Sequence, residues 1–300
     1  PRKFKIALAD PKDNCMDVLS NDLAILSLFD GQEHVGYNFA LGGGLGLKHN
    51  SPKTYARLAT PVIYVPKELL IPATEAVIKL QRDHGDRTDR QHARLKYVIA
   101  EKGEAWAKHE LEKYIGREME LPKPMNKFAV EDHMGWHDQL DGKWFLGIPI
   151  SSGRIIDREN EAIRSGIRAV VLEYGMDIAL TADQNIILCD IEATEKIAIE
   201  KILREHGIKL ANDITSADRH MMACVAYPTC GKALAEAERV RDPLVAEIEK
   251  EMEKHGVREE KISIRIAGCP NGCSRPTIGD IGIIGRMPDH YALHKIGRAS

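Results

Sequence analysis

Apolar and polar positions fall into short runs along the first third of the chain. FKIALA (4–9) and DLAILSLF (22–29) have strand length. In PKELLIPATEAVIKLQRDHG (66–85) apolar residues recur at helical spacing and stop at Gly85. A charged helix is expected over 103–115, and ELPKPMNKF (120–128), with two prolines, reads as a linker. The middle of the chain alternates more plainly. KWFLGIPI is a strand, RENEAIRSGIRAVVLEYG a helix, DIALTA and NIILCDI are strands about a polar turn, and ATEKIAIEKILREHG is a helix. That β-α-β-β-α order predicts an α+β unit with its helices on one face of a small sheet. KALAEAERVRDPLVAEIEKEMEKHG (232–256) is a further amphipathic helix, its charges forming a solvated face.

Two segments echo each other. An offset of 258 positions lays FKIALA over ISIRIA and NDLAI over GDIGI, so that Ala9 meets Ala267, Asp22 meets Asp280 and Ile25 meets Ile283. Two strand–loop–strand units would produce this pattern, by duplication or by chance. A duplicated domain would place a ligand between its copies.

Composition narrows the class. With 43% apolar and 29% charged residues the chain is globular, and 300 residues allow more than one core. Forty-two basic against 45 acidic residues argue against a nucleic-acid protein built on a general basic surface, while leaving room for a local cationic pocket. No apolar run approaches the ~20 residues of a membrane span. A cytoplasmic location is expected, or a plastid if the source is a plant. A chain opening on Pro1 and closing on HKIGRAS reads as an internal piece of a longer protein.

The cysteines carry the chemistry. ACVAYPTC places Cys224 and Cys230 as C-x5-C, and GCPNGCSRP places Cys269 and Cys273 as C-x3-C. Four thiolates suit a [4Fe–4S] cluster. Zinc remains open, although its sites use tighter C-x2-4-C pairs. Cys15 and Cys189 match no ligand motif; the first reads as a loop thiol, the second as core.

ACVAYPTC with GCPNGCSRP resembles the paired cluster motifs of the siroheme-containing sulfite and nitrite reductases. PRKFK, NDLAIL, ALGGGLG, QRDHGDRTDR, TADQNIIL and AEAER follow in that family's order. The resemblance implies siroheme and a [4Fe–4S] cluster as cofactors, held within pseudo-duplicated α+β reductase domains. It divides the chain into a first siroheme/Fe–S domain (1–120), an intervening ferredoxin-like module (121–205) and a second siroheme/[4Fe–4S] domain (206–300). It makes Cys224, Cys230, Cys269 and Cys273 the cluster ligands, with Cys273 also bridging to the siroheme iron.

Siroheme carries many carboxylates and the substrate is an anion, so a cationic lining is expected. Its candidates are Arg2, Lys3 and Lys5, with Lys3 and Lys5 facing the substrate, and Arg87, Arg90 and Arg94 toward the cofactor. Without the resemblance the lysines read as solvated residues, and the arginines equally as a helix surface. Gly42, Gly43, Gly44, Asn185 and Asn271 are expected to bring backbone or amide groups to the cofactor; a structural turn explains them nearly as well. Asp183 departs from the asparagine common in the family.

The function implied is assimilatory reduction of sulfite to sulfide, with nitrite reduction to ammonia as the alternative. Lys5 favours sulfite, since nitrite reductases of the family tend to carry Asn there. A non-catalytic Fe–S carrier is the rival from another class. DVLSNDLAIL, YVPKE and QNIILCDI look closer to ferredoxin-dependent forms than to the subunit served by an NADPH flavoprotein.

Overall fold

The computed structural model describes residues 3–125 and 128–295. The chain's contacts separate it into two compact units, residues 1–131 and 132–300. In the first, β1 (Ile6–Ala9), β2 (Leu23–Asp30), β3 (Glu33–Leu41) and β4 (Thr60–Pro66) form one sheet in that order. β1 runs parallel to β2, and the other pairs are antiparallel. Period-two alternation decides the faces. Leu23 and Ile25 join Phe39, Leu41 and Ile63 beneath α1 (Leu70–His84), α2 (Leu95–Lys102) and α3 (Glu104–Ile115). Ala24 and Leu26 turn the other way, into a smaller core with Ala7, Ala9 and Val18.

Residues 120–125 are less of a linker than two prolines suggest. Asn38 brackets Lys123, donating to its carbonyl at 2.7 Å and accepting from its amide at 2.9 Å, and the amide of Tyr64 donates to the Glu120 carbonyl. A buried asparagine that satisfies a backbone pair fixes that strip against the sheet.

The second unit holds two sheets. β5 (Gly135–Asp138), β6 (Trp144–Ile148), β10 (Ile186–Ile191) and β9 (Ile178–Leu180) form the first, in the order β5-β6-β10-β9. A short ribbon, β7 (Asp157–Arg158) and β8 (Glu161–Ala162), precedes α4 (Ile163–Tyr174); α5 (Lys196–Glu205) follows β10. Inward residues of both helices, Ile167, Val170, Ile199 and Leu203, pack on Leu146, Ile148, Ile186 and Leu188. This is the expected β-α-β-β-α module, with β5 as an added edge strand.

The last sheet comprises β11 (Met221–Ala223), β12 (Ile264–Ala267), β13 (Ile281–Met287) and β14 (His290–Lys295), after the short α6 (Ser216–Arg219) and with α7 (Glu238–Lys254) between β11 and β12. The helix expected from 232 begins only at Glu238. The amides of Leu234 and Ala235 donate instead to the Gly268 carbonyl, at 2.8 and 3.0 Å, which commits that stretch to a loop.

The faint repeat becomes a structural identity. β1 meets β2 with Ile6 opposite Leu23, and β12 meets β13 with Ile264 opposite Ile281, both parallel and both at the same offset. The Lys5 amide donates to Asp22 at 2.9 Å, and the Ser263 amide to Asp280 at 2.9 Å. Asp17 and Arg275, again equivalent, both take left-handed backbone (φ 47° and 55°) ahead of a short 3-10 turn. The carboxylate closes each loop by accepting the amide that precedes the strand.

Candidate cluster site and cationic loop

β11 and β12 are parallel neighbours, so the loops leaving their carboxyl ends emerge together. Cys224 follows the last residue of β11, and its amide donates to the Ile266 carbonyl at 3.0 Å. Gly268 follows β12, and its amide donates to the Cys224 sulfur at 3.2 Å. A Cβ at Gly268 would lie 2.6 Å from the Ala235 carbonyl oxygen and 2.7 Å from Ala226 Cβ, so only glycine lets the two loops close on each other. Successive turns then shape the second loop. The Gly272 amide donates to Cys269 O and the Arg275 amide to Gly272 O, while buried Ser274 donates to Ile266 O at 2.6 Å. Asn271 donates its side-chain amide to the Cys273 sulfur at 3.2 Å.

The four thiols are free and close enough to sense one another. Burial pushes the Cys224 thiol up, the amides of Gly268 and Ala226 oppose it, and Cys273 and Cys269 add to the rise. Burial likewise raises Cys269, with Cys273 and Cys230 contributing. A cluster's thiolates bind separate irons, and two adjoining loops that bring two cysteines each offer such a set. Cys273 is exposed, whereas the other three are half-buried.

In the first unit, Lys3 and Lys5 precede β1 and are exposed, while Phe4 between them packs against the core. Arg2 lies outside the described residues. Behind them sits the glycine-rich loop, wired from both sides. Its amides are spent: Gly42 donates to Asp22 O, Gly43 to Asn21 O and Gly44 to Arg57 O. Its carbonyls face three cations. Arg57 donates to Leu41 O and Gly42 O, at 3.0 Å each, and Arg94 donates to Gly43 O at 3.4 Å. Lys96, only 2% exposed, donates to Gly44 O, Gly46 O and Tyr55 O, beside the rings of Tyr55 and Tyr97. Burial, with Arg94 nearby, pushes this ammonium down to about 8. A Cβ on Gly43 would meet Leu19 O at 2.2 Å, so this glycine serves close backbone packing.

Arg94 makes two 2.7 Å bonds to the buried Asp22. Its immediate partner is thus a carboxylate of this chain. Arg87 and Arg90 are exposed, with Arg87 donating to Arg82 O. Asn185 is buried and accepts from the Ile150 amide at 2.9 Å. Cys189 is half-buried on β10, its thiol raised by burial.

Sequence reasoning passed over Asp22's carboxylate, Arg57 and Lys96. The repeat could have drawn attention to Asp22, whose counterpart is Asp280. Nothing in LKYVIA signals that its lysine is buried.

Comparison with known proteins places the chain in a family. Residues 1–119 match the nitrite and sulphite reductase 4Fe-4S domain, and residues 137–206 the nitrite/sulfite reductase ferredoxin-like half domain. The four clustered cysteines lie beyond both matched stretches. A sulfite reductase (ferredoxin) of Synechococcus elongatus is 40% identical over 294 residues, covering 98% of this chain and 47% of that protein. A sulfite reductase (NADPH) hemoprotein beta-component of Nitrobacter hamburgensis is 41% identical over 294 residues, covering 98% and 51%. The structure of the Mycobacterium tuberculosis NirA protein superposes with a TM-score of 0.78 at 27% identity, over 92% of this chain and 51% of that one. The chain thus spans about half the length of the relatives it matches. No helix among the described residues is long and apolar enough to cross a membrane. Matched in order by two of its domains, and by relatives along nearly its whole length, the chain belongs to the nitrite and sulfite reductase family.

Proposed function

We propose that this chain is the cluster-bearing part of an assimilatory sulfite reductase, using siroheme and a [4Fe–4S] cluster. The observation that carries the reading is the meeting of the C-x5-C and C-x3-C loops at the carboxyl ends of β11 and β12. Cys224, Cys230, Cys269 and Cys273 would hold the cluster, and the exposed Cys273 would share its sulfur with the haem iron. When bound, the coupled cofactors supply single electrons for the six-electron conversion of sulfite to sulfide. The residues of this chain do the rest. Lys3 and Lys5 attract the dianion, Arg87 and Arg90 pair with cofactor carboxylates, and Asn271 orients the Cys273 sulfur. Arg94 and Gly42–Gly44 act through the loop they shape, since their polar groups are engaged within the chain.

Sulfite is favoured over nitrite because Lys3 and Lys5 present two positive charges, which suit a dianion better than a monoanion. For the electron donor we infer ferredoxin, from DVLSNDLAIL, YVPKE and QNIILCDI; relatives of both donor classes match at 40 and 41% identity. The test is steady-state reduction by the reconstituted full-length protein that contains this chain, with sulfite or nitrite as acceptor and reduced ferredoxin or NADPH flavoprotein as donor. The reading expects the higher kcat/KM for sulfite and turnover with ferredoxin. It also expects Lys5→Asn to lower sulfite kcat/KM by roughly 30- to 1,000-fold, with a smaller loss for nitrite. A parent that prefers nitrite would overturn the substrate assignment, and turnover only with the flavoprotein would overturn the donor.

A further inference from the structure

The β9–β10 turn, Thr181–Asn185, reaches both cysteine loops. Gln184 donates its side-chain amide to Ala223 O at 2.8 Å, on the residue before Cys224. Arg275, two residues beyond Cys273, donates to Asp183 Oδ1 at 3.0 Å and to Ala182 O at 3.3 Å. The turn is itself anchored from behind. The Thr181 amide donates to Asn185 O, the Asn185 amide to Thr181 Oγ1, and the Ile150 amide to Asn185 Oδ1. Both Gln184 (φ 69°) and Arg275 (φ 55°) hold left-handed backbone, which L side chains rarely adopt. Such conformations persist where the surroundings over-determine them, and they gather at functional sites.

We propose that this turn is a rigid brace that sets the distance between the two cysteine loops, with Asp183, Gln184 and Arg275 as positioning residues. The inference rests on the reading of the four cysteines as cluster ligands. Two loops that each carry half of a ligand set must be held in register before the cofactor arrives, because thiols that drift apart lose a shared cluster. The strand ladder fixes where the loops begin. Beyond it Gln184 fixes the start of one, and the ion pair fixes the far end of the other. The pair is partly buried, so it is screened less than a surface pair. It also places a carboxylate beside the only arginine in the GCPNGCSRP loop, balancing that charge near the cluster.

Four variants test this by hydrogen exchange, chelator-driven iron release and potentiometry: Asp183→Ala, Arg275→Met, their double variant, and Asp183→Asn. Either single truncation is expected to speed exchange across 268–280, and iron release, by about tenfold, the size of losing one charge-assisted pair. The double variant should be no faster than Arg275→Met, because that truncation already removes the ion pair together with the bonds to Ala182 O. Asp183→Asn keeps a hydrogen-bonding group for Arg275, so loop protection should hold. The loss of a negative charge should nevertheless move the cluster's midpoint potential in the positive direction. Exchange and iron release at parental rates in both truncations, additive effects in the double variant, or an unmoved potential in Asp183→Asn would each overturn the brace. A parent that takes up no iron would sink the cluster reading instead, and exchange across 268–280 would then decide the brace alone.

Discussion

The β1–β2 loop and the β12–β13 loop are built on one plan and do different things. Both bridge parallel strands at the same register, both are closed by an aspartate that accepts a backbone amide, and both turn through a left-handed residue into a 3-10 turn. Cys15 and Cys273 occupy equivalent positions. Yet Cys15 sits 3.6 Å from an Asp13 carboxylate oxygen, whereas Cys273 is close enough to Cys224 and Cys269 to raise their thiols. Among the described residues the difference lies beside the loop. In the second copy β11 pairs with β12 and delivers Cys224, and α7 follows to bury the strand. Ile264 and Ile266 are each 1% exposed, while their counterparts Ile6 and Leu8 are 44% and 50% exposed, with β1 at the sheet edge among the described residues. In the function proposed above, the strand–loop–strand scaffold would supply half of the cluster site and the neighbouring strand the other half.

The sharpest way to separate the copies is through their closing aspartates. Asp22→Ala removes both bonds of Arg94 and should destabilise the first unit by about 3–5 kcal/mol, as broken buried pairs do. Asp280→Ala loses the bonds from the Ser263 amide and hydroxyl and should cost less, about 1–2 kcal/mol. Chemical denaturation of the parent and both variants checks the order; equal losses would mean that Arg94 adds nothing.

The cationic loop belongs to the first copy, and Lys96→Met should cost about 3 kcal/mol by leaving three backbone carbonyls without their donor. Its pH dependence has a definite sign. The folded ammonium gives up its proton near 8, the unfolded one near 10.5, so the unfolded chain holds more protons between those values. Stability of the parent relative to the variant should therefore rise with pH across that window, widening the variant's deficit. Denaturation series at pH 7 and pH 10 measure it, and a deficit that narrows would contradict the buried, depressed lysine.

Gly268→Ala forces a Cβ against Ala235 O and Ala226 and should cost about 1–3 kcal/mol, with loss of cluster binding. Asp10→Ala, at the equivalent position of the first copy, should stay within about 0.5 kcal/mol. Thermal melts and iron content of the two variants compare them directly. The smallest effect expected is kinetic. Burial favours the neutral thiols of Cys224 and Cys269, so alkylation of these residues in the apo-protein should stay slow until the pH exceeds the ordinary thiol value of 9.0. Peptide mapping after timed labelling reads this site by site.

Much of this was legible before any coordinates. The module over 144–205 declared itself because its strands and helices have distinct periods, and the echo between two strand–loop–strand units showed in Ala9/Ala267 and Asp22/Asp280. The cysteine pairs marked the loops because thiols in Gly/Pro turns have few structural uses. What stayed hidden was contact between distant residues. Arg94 finds Asp22 across 72 positions and Lys96 finds Gly44 across 52, so neither pairing leaves a local pattern. The late start of α7 was hidden for the same reason, since Gly268, far along the chain, claims the amides of Leu234 and Ala235. Gly42–Gly44 show the limit of reading composition: a glycine run announces close backbone approach without saying whether to a ligand or to the protein itself.

The most direct measurement is acid-labile sulfide per chain in the anaerobically reconstituted parent and in its Cys224→Ser and Cys15→Ser variants. Sulfide counts the cluster alone, because haem iron brings none. One cluster held by the second copy predicts about four sulfides per chain in the parent, the same in Cys15→Ser, and a loss of most of them in Cys224→Ser, where a hard alkoxide replaces thiolate. Full sulfide in Cys224→Ser, or a loss in Cys15→Ser as deep as that expected for Cys224→Ser, would contradict the assignment of the cluster to the loops of β11 and β12.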